Sequence, residues 1–300
     1  MSLWQRSGSV AESAASPHAA PPVVPRPGRP AAPAGTAGAR PRNRGTGAGW
    51  WKGAAAVAGA LVCWEAGIRT GLLPASVFPA MSQTFARLGQ LLGEAGFWAA
   101  FGQTMAGWIL GVLIAVGLGL PVGMLLGRIG LLYRSSRLMV DFLRTIPSVA
   151  VIPLVTLLFG ATLEMKVMLV AFGSFWPFML QVAYGVQDTD KVLVDTVRSF
   201  RLSTGRAAWY VFSPSALPFA VTGLRIAAVT GLLLTISSEI LGSAPGLGLE
   251  LALAQTGGDL SLTYAYIVFI GLLGVALNLV LNASSRRVLF WHASVRGDAA

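Results

Sequence analysis

The chain has 300 residues, of which 54% are hydrophobic and only 11% charged, where a soluble domain carries about a quarter charged residues. Its net charge of +10 is spread between apolar runs rather than gathered in one patch, which points to membrane topology and away from nucleic acid as a partner. A lone cysteine, Cys63, and two peripheral histidines, His18 and His292, leave no disulfide framework, no metal cluster and no cysteine–histidine catalytic pair.

Apolar runs of roughly 18 or more residues recur, each long enough to cross a bilayer core. The composition predicts an all-α, multi-pass membrane protein of about six transmembrane helices. Residues 1–48, rich in Pro, Ala, Gly and Arg, cannot bury enough surface to offset their ordering entropy and are expected to form a disordered cytosolic tail. That tail is a solvated arm or one that touches anionic membrane lipid; without an early apolar run it is not read as a cleavable signal. A membrane domain follows over 49–290, then a short tail, 291–300.

Trp50-Trp51 opens the first predicted span, 50–69, at interfacial depth. Residues 70–98 are less apolar, carry Pro74 and Pro79, and hold a short amphipathic helix from Met81 to Leu92. The second span, 99–126, carries Gly107, Gly111, Gly117, Gly119 and Gly123, with Gly127 just beyond. Such small residues let membrane helices approach closely, here by packing within the chain. A basic turn (Arg128, Arg134, Arg137) precedes the third span, 141–160, where Pro147 and Pro153 predict a kinked or broken helix. Broken helices line cavities or serve packing; Pro147, Ser148 and Pro153 are taken as candidates for a translocation path.

The fourth span, 166–187, holds Phe172, Phe175, Trp176 and Phe178, an aromatic cluster read first as packing, with Phe172 retained as a path candidate. The fifth, 216–241, ends in Ser237, Ser238 and Glu239. An ionisable residue at membrane depth is a functional candidate by default, and a hydrated interfacial carboxylate is the alternative. The sixth span is 262–284.

Between the fourth and fifth spans lies a polar stretch too patterned to be a tether. Val192, Val194 and Val197 alternate with Lys191, Asp195 and Arg198; Ser203-Thr204-Gly205 makes a break; Ala207 to Phe212 is apolar; Pro214 and Pro218 close the stretch. Two short amphipathic helices joined by a turn are expected, forming a docking element over about 188–218. Basic residues gather before the first span, after the second (Arg128, Arg134, Arg137), in this loop (Lys191, Arg198, Arg201, Arg206) and after the last (Arg286, Arg287). By the positive-inside rule, six spans place both termini and the loop in the cytosol.

This stretch resembles the cytoplasmic coupling loop of ABC importer permeases of the nitrate/sulfonate/taurine-type branch, E-A-A-R-x-L-G-A followed by L-P-A-A-L-P and G-L-R. Here it stands as Asp195-Thr196-Val197-Arg198-Ser199-Phe200-Arg201-Leu202, then Ser213 to Pro218, then Gly223-Leu224-Arg225. Leu73 to Pro79, Asp141 to Gly160 and Ser238 to Gly242 are similar to further signatures of that family. Arg201 departs from the family's glycine, which lets the chain turn with φ > 0; the turn is expected to have moved to Ser203-Thr204-Gly205.

The resemblance implies a type I ABC importer-like permease fold in a bacterial cytoplasmic (inner) membrane. It implies partner ABC ATPase subunits, an extracytoplasmic substrate-binding protein and a homodimer of permease chains. It also implies alternating access driven through the loop by Asp195, Thr196, Arg198, Phe200, Arg201 and Leu202, with Pro218 ending the linker. The chain itself has no G-x-x-x-x-G-K-S/T phosphate loop, its only lysines being Lys52, Lys166 and Lys191. It is expected to be non-catalytic and to bind no cofactor, with ATP and Mg on the partner ATPase. A gradient-driven transporter is the competing class; paired intramembrane ions would be its mark, and the sequence gives no sign of them.

Overall fold

The computed structural model describes residues 50–289, and the expected tails, 1–48 and 291–300, lie outside that range. Every regular element among the described residues is helical, in the order α1 (Trp50–Arg69), α2 (Met81–Leu91), α3 (Ala95–Arg128), α4 (Gly130–Thr145), a 3₁₀ turn (Ser148–Val151) and α5 (Ile152–Phe159). There follow α6 (Leu163–Gln187), α7 (Lys191–Ser199), α8 (Thr204–Ala207), a π turn (Ala208–Phe212), α9 (Ser213–Leu241), α10 (Leu247–Thr256) and α11 (Leu260–Val288).

Among the described residues, four helical stretches are long and apolar enough to cross a membrane: Ala95–Arg128, Leu163–Gln187, Gly205–Leu241 and Leu260–Val288. The pair Gly130–Thr145 and Ser148–Phe159, bent by 72°, makes a fifth if it counts as one broken span. α1 forms over the residues expected of the first span, yet Lys52, Glu65 and Arg69 dilute its apolar character and it is not among these stretches. The third span is broken, as expected. Its break falls at Ile146-Pro147, because a residue before proline is pushed out of the α region. Pro153, by contrast, sits in the first turn of α5, where a missing N–H costs nothing.

α6 is the centre of the bundle, with α3 on one side and α9 on the other. The glycine stripe of α3 faces α6: a Cβ at Gly111 would lie 2.5 Å from Val170 Cβ, and one at Gly127 would lie 2.6 Å from Val186 Cβ. Backbones this close gain dispersion contact that larger side chains would prevent. Gly117, on the other face of α3, meets nothing within 4 Å. Side-chain bonds to backbone fix α9: Trp108 Nε1 donates to Ala228 O (2.8 Å) and Ser174 Oγ to Ala227 O (3.0 Å). A second core joins α2, α3, α10 and α11 through Leu88, Leu91, Phe97, Leu247 and Tyr266.

Candidate docking loop and buried ion pair

The loop between α6 and α9 is built as two faces. Asp190 caps α7, its carboxylate accepting the Val192 N–H at 2.9 Å. Val197, Ala207 and Phe212 point inward and pack with Val186 of α6 and Ala216 of α9, and the Arg128 guanidinium lies 5.2 Å over the Phe212 ring. The opposite face is open. Phe200 is 75% exposed, Trp209 72%, Tyr210 71% and Val192 69%. Asp195, Thr196 and Arg198 lie on the exposed side of α7, where Arg198 meets Asp195 at 3.5 Å.

The turn has not moved to Ser203-Thr204-Gly205. α7 ends at Ser199 with Phe200 as its C-cap, and Arg201 itself takes the left-handed conformation, φ 48°. The Leu202 N–H bonds Val197 O and the Arg201 N–H bonds Arg198 O, both at 3.1 Å, which closes the helix as a Schellman motif. Leu202 then packs against the apolar cluster that contains Val197, the kind of contact that accompanies this cap. The hydrogen-bonded cap and its apolar contact hold a residue with a side chain where glycine would sit without strain. Gly205 lies in α8 instead. Pro218 does not end a linker: the π turn runs directly into α9, and Pro218 is inside that helix.

Of the path candidates, Pro147 is exposed at the break and Pro153 is exposed on α5. Ser148 leans on α6, its Oγ 3.0 Å from where a Gly173 Cβ would stand. Phe172, next to Gly173, is half-buried and stacks edge-on with Trp176 at 6.1 Å. Of these four, Ser148 of the 3₁₀ turn is the one seated against α6, at Gly173. Glu239 belongs to a different constellation.

Glu239 is closed off from solvent. Its side chain is 0% exposed and forms an ion pair with Lys166, 1% exposed, at 3.0 Å. Lys166 is in the first turn of α6 and Glu239 in the last turn of α9, both at the end of the bundle opposite the loop. Each Lys166 proton has an acceptor: Glu239 Oε1, Gln103 O at 2.9 Å and Pro245 O at 2.6 Å. The other carboxylate oxygen accepts the Thr104 hydroxyl (3.0 Å) and the Gly248 N–H (2.9 Å), while Thr104 Oγ1 accepts the Leu247 N–H (2.9 Å). Two open N–H groups at the start of α10 are thereby met by tertiary partners, one of them negatively charged. Gly246, φ 156°, allows the approach, since a Cβ there would collide with the Glu239 carboxylate.

Lys166, Thr104, Trp209 and Tyr210 were not among the candidates drawn from sequence. A lysine opening one apolar span and a glutamate closing another, at the same end by topology, was the available signal for the pair.

Residues 119–289 match the family described as the binding-protein-dependent transport system inner membrane component, a range that runs from within α3 through α11. A protein of Brucella abortus named as a probable ABC transporter permease is 30% identical over 208 residues, 68% of this chain and 79% of its own length. The taurine transport system permease protein TauC of Escherichia coli is 27% identical over 244 residues, 79% of this chain and 88% of its own. Among solved structures, an inward-facing MetNI methionine ABC transporter matches with a TM-score of 0.55 at 21% identity, covering 64% of this chain and 95% of that one, a likeness of fold. With its helical bundle, broken third span and two-faced loop in place, the chain belongs to the binding-protein-dependent transport system inner membrane components and is a membrane-spanning ABC transport permease.

Proposed function

We propose that this chain is the permease subunit of an ATP-driven importer. It forms the translocation path for a small polar solute (a sulfonate, taurine, nitrate or similar) handed over by an extracytoplasmic binding protein. The observation that carries the reading is the loop: its apolar side is anchored in the bundle by Val197, Ala207 and Phe212, while Phe200, Trp209, Tyr210, Asp195 and Arg198 are all exposed. Exposed aromatics and charges on one loop are the composition of a protein docking surface. The partner is an ABC ATPase, which binds the ATP and Mg; the permease chain is non-catalytic and binds no cofactor.

Two copies assemble side by side in the inner membrane. α1 serves as a sixth span, the termini and loop face the cytosol, and residues 49–290 form one membrane domain. Asp195, Thr196, Arg198, Phe200, Arg201 and Leu202 couple to the ATPase. Pro147, Ser148, Pro153 and Phe172 border the path, and Glu239 acts on it from its outer end. The similarity to TauC supports the solute class.

The test is gentle affinity purification of the chain from its native membrane, with mass spectrometry of its companions. A stoichiometric ATPase of Walker type supports the reading. Recovery of the chain alone, with uptake driven by an ion gradient in ATP-free vesicles, would replace it with the gradient-driven reading, which the Lys166–Glu239 pair favours and family membership outweighs.

A further inference from the structure

The Lys166–Glu239 pair invites a question that docking and family membership leave open. Burying two charges is costly, and the attraction between them compensates only when the remaining lone pairs and protons are also bonded. Here they are, and the partners come from four separate places: the Gln103 carbonyl and Thr104 hydroxyl of α3, Lys166 of α6, Glu239 of α9, and the turn into α10 through Pro245, Leu247 and Gly248. An apolar pair could fill the same volume, but it would permit sliding. A directional network admits one arrangement.

The turn itself is seated as firmly. Ala244 is fully buried against Val155 of α5 and Met165 of α6. Ser243 holds φ 54° and Gly246 φ 156°, conformations that persist only when the surroundings determine them. A shallow opening of about 150 Å3 lined by Gln103, Ala106, Leu163, Lys166 and Pro245 brings the surface to the edge of the network.

We propose that Lys166, Glu239 and Thr104 are positioning residues for transport: they lock the Gly242–Gly246 turn and α10 to α3, α6 and α9, so that these ends travel as one block through the cycle. The proposal rests on the importer reading. In it, motion enters at the docking loop, passes along α9 and arrives at an end that cannot shear internally. Without the lock, the same input is spent in sliding α9 past its neighbours, and ATP hydrolysis continues with little transport.

The experiment uses the assembled permease–ATPase complex in lipid nanodiscs, in a Cys63→Ser background carrying Ala244→Cys, with a membrane-impermeant maleimide as the probe. The Ala244→Cys thiol is expected to stay protected both without nucleotide and after trapping with ATP and vanadate. Adding Lys166→Met and Glu239→Gln together, which leaves no lone buried charge, is expected to speed labelling and to lower transport in proteoliposomes by about tenfold, a typical coupling factor, while ATP hydrolysis persists. Thr104→Val, nearly isosteric, is expected to act in the same direction and decides the matter if the double variant fails to assemble; Thr104→Ser is expected to behave as the parent. A purely structural role would lower the yield of complex and leave the ratio of transport to hydrolysis unchanged.

The proposal is overturned if trapping exposes the Ala244→Cys thiol in the parent. It is equally overturned if the uncharged double variant, or Thr104→Val, transports at the parental rate with the thiol still protected. Should no ATPase accompany the chain, the importer reading fails, while protection of the thiol in the isolated chain still reports on the lock.

Discussion

The two ends of this bundle solve opposite problems. At the far end, charge is sealed away: Lys166 and Glu239 have almost no exposure, and every polar contact is internal. At the loop end, charge and aromatic surface are left open, with Arg198 78% exposed and Phe200, Trp209 and Tyr210 nearly as accessible. The same kind of interaction, an acid beside a base, therefore means different things. Asp195–Arg198 in water contributes under about 1 kcal/mol and is free to exchange partners. Lys166–Glu239 is committed to one arrangement, and its disruption leaves a bare charge in the interior.

The sharpest way to break this contrast is to remove one member of the sealed pair. Lys166→Ala is expected to destabilise the chain by about 3–5 kcal/mol, because Glu239 is left buried without its cation; thermal unfolding in detergent or a collapse in folded yield would report it. Next in size is Gly111→Val. Its Cβ would meet Val170, and wedging α3 from α6 is expected to cost about 1–3 kcal/mol on the same assay.

At the open end, Arg198→Glu should leave stability within about 0.5 kcal/mol yet lower transport per ATP hydrolysed by about tenfold. Unchanged transport at normal expression would remove Arg198 from the coupling surface. The smallest effect, and the only gain, is expected from Arg201→Gly. Relief of the left-handed strain, less the greater freedom glycine has when unfolded, should raise stability by about 0.5–1 kcal/mol. A fall instead would mean that the Arg201 side chain makes contacts worth more than its strain.

Much of the fold was legible because hydropathy and period carry it. The helices at 95–128, 163–187 and 260–288 lie within a few residues of their predicted limits. Proline meaning was harder to assign. Pro147 breaks a helix, Pro153 starts one and Pro218 is carried inside one, and the difference lies in which N–H groups the surrounding backbone can spare. Arg201 misled for a related reason: the absence of glycine suggested a displaced turn, but the packing of Leu202 on the cluster that contains Val197 and the cap bonds hold the turn in place. The ion pair joins residues 73 positions apart, and no local pattern encodes such a partnership.

The π turn at Ala208–Phe212 has a mechanical consequence. By continuing α8 into α9 without a loop, it makes Gly205–Leu241 one rod of 37 residues, about 55 Å long at the usual rise. Trp209 and Tyr210 sit near one tip of that rod and Glu239 near the other. For such a lever, each degree of tilt sweeps the distant tip through about 1 Å, so a small push on the aromatic handle becomes a displacement the size of an ion at the sealed end.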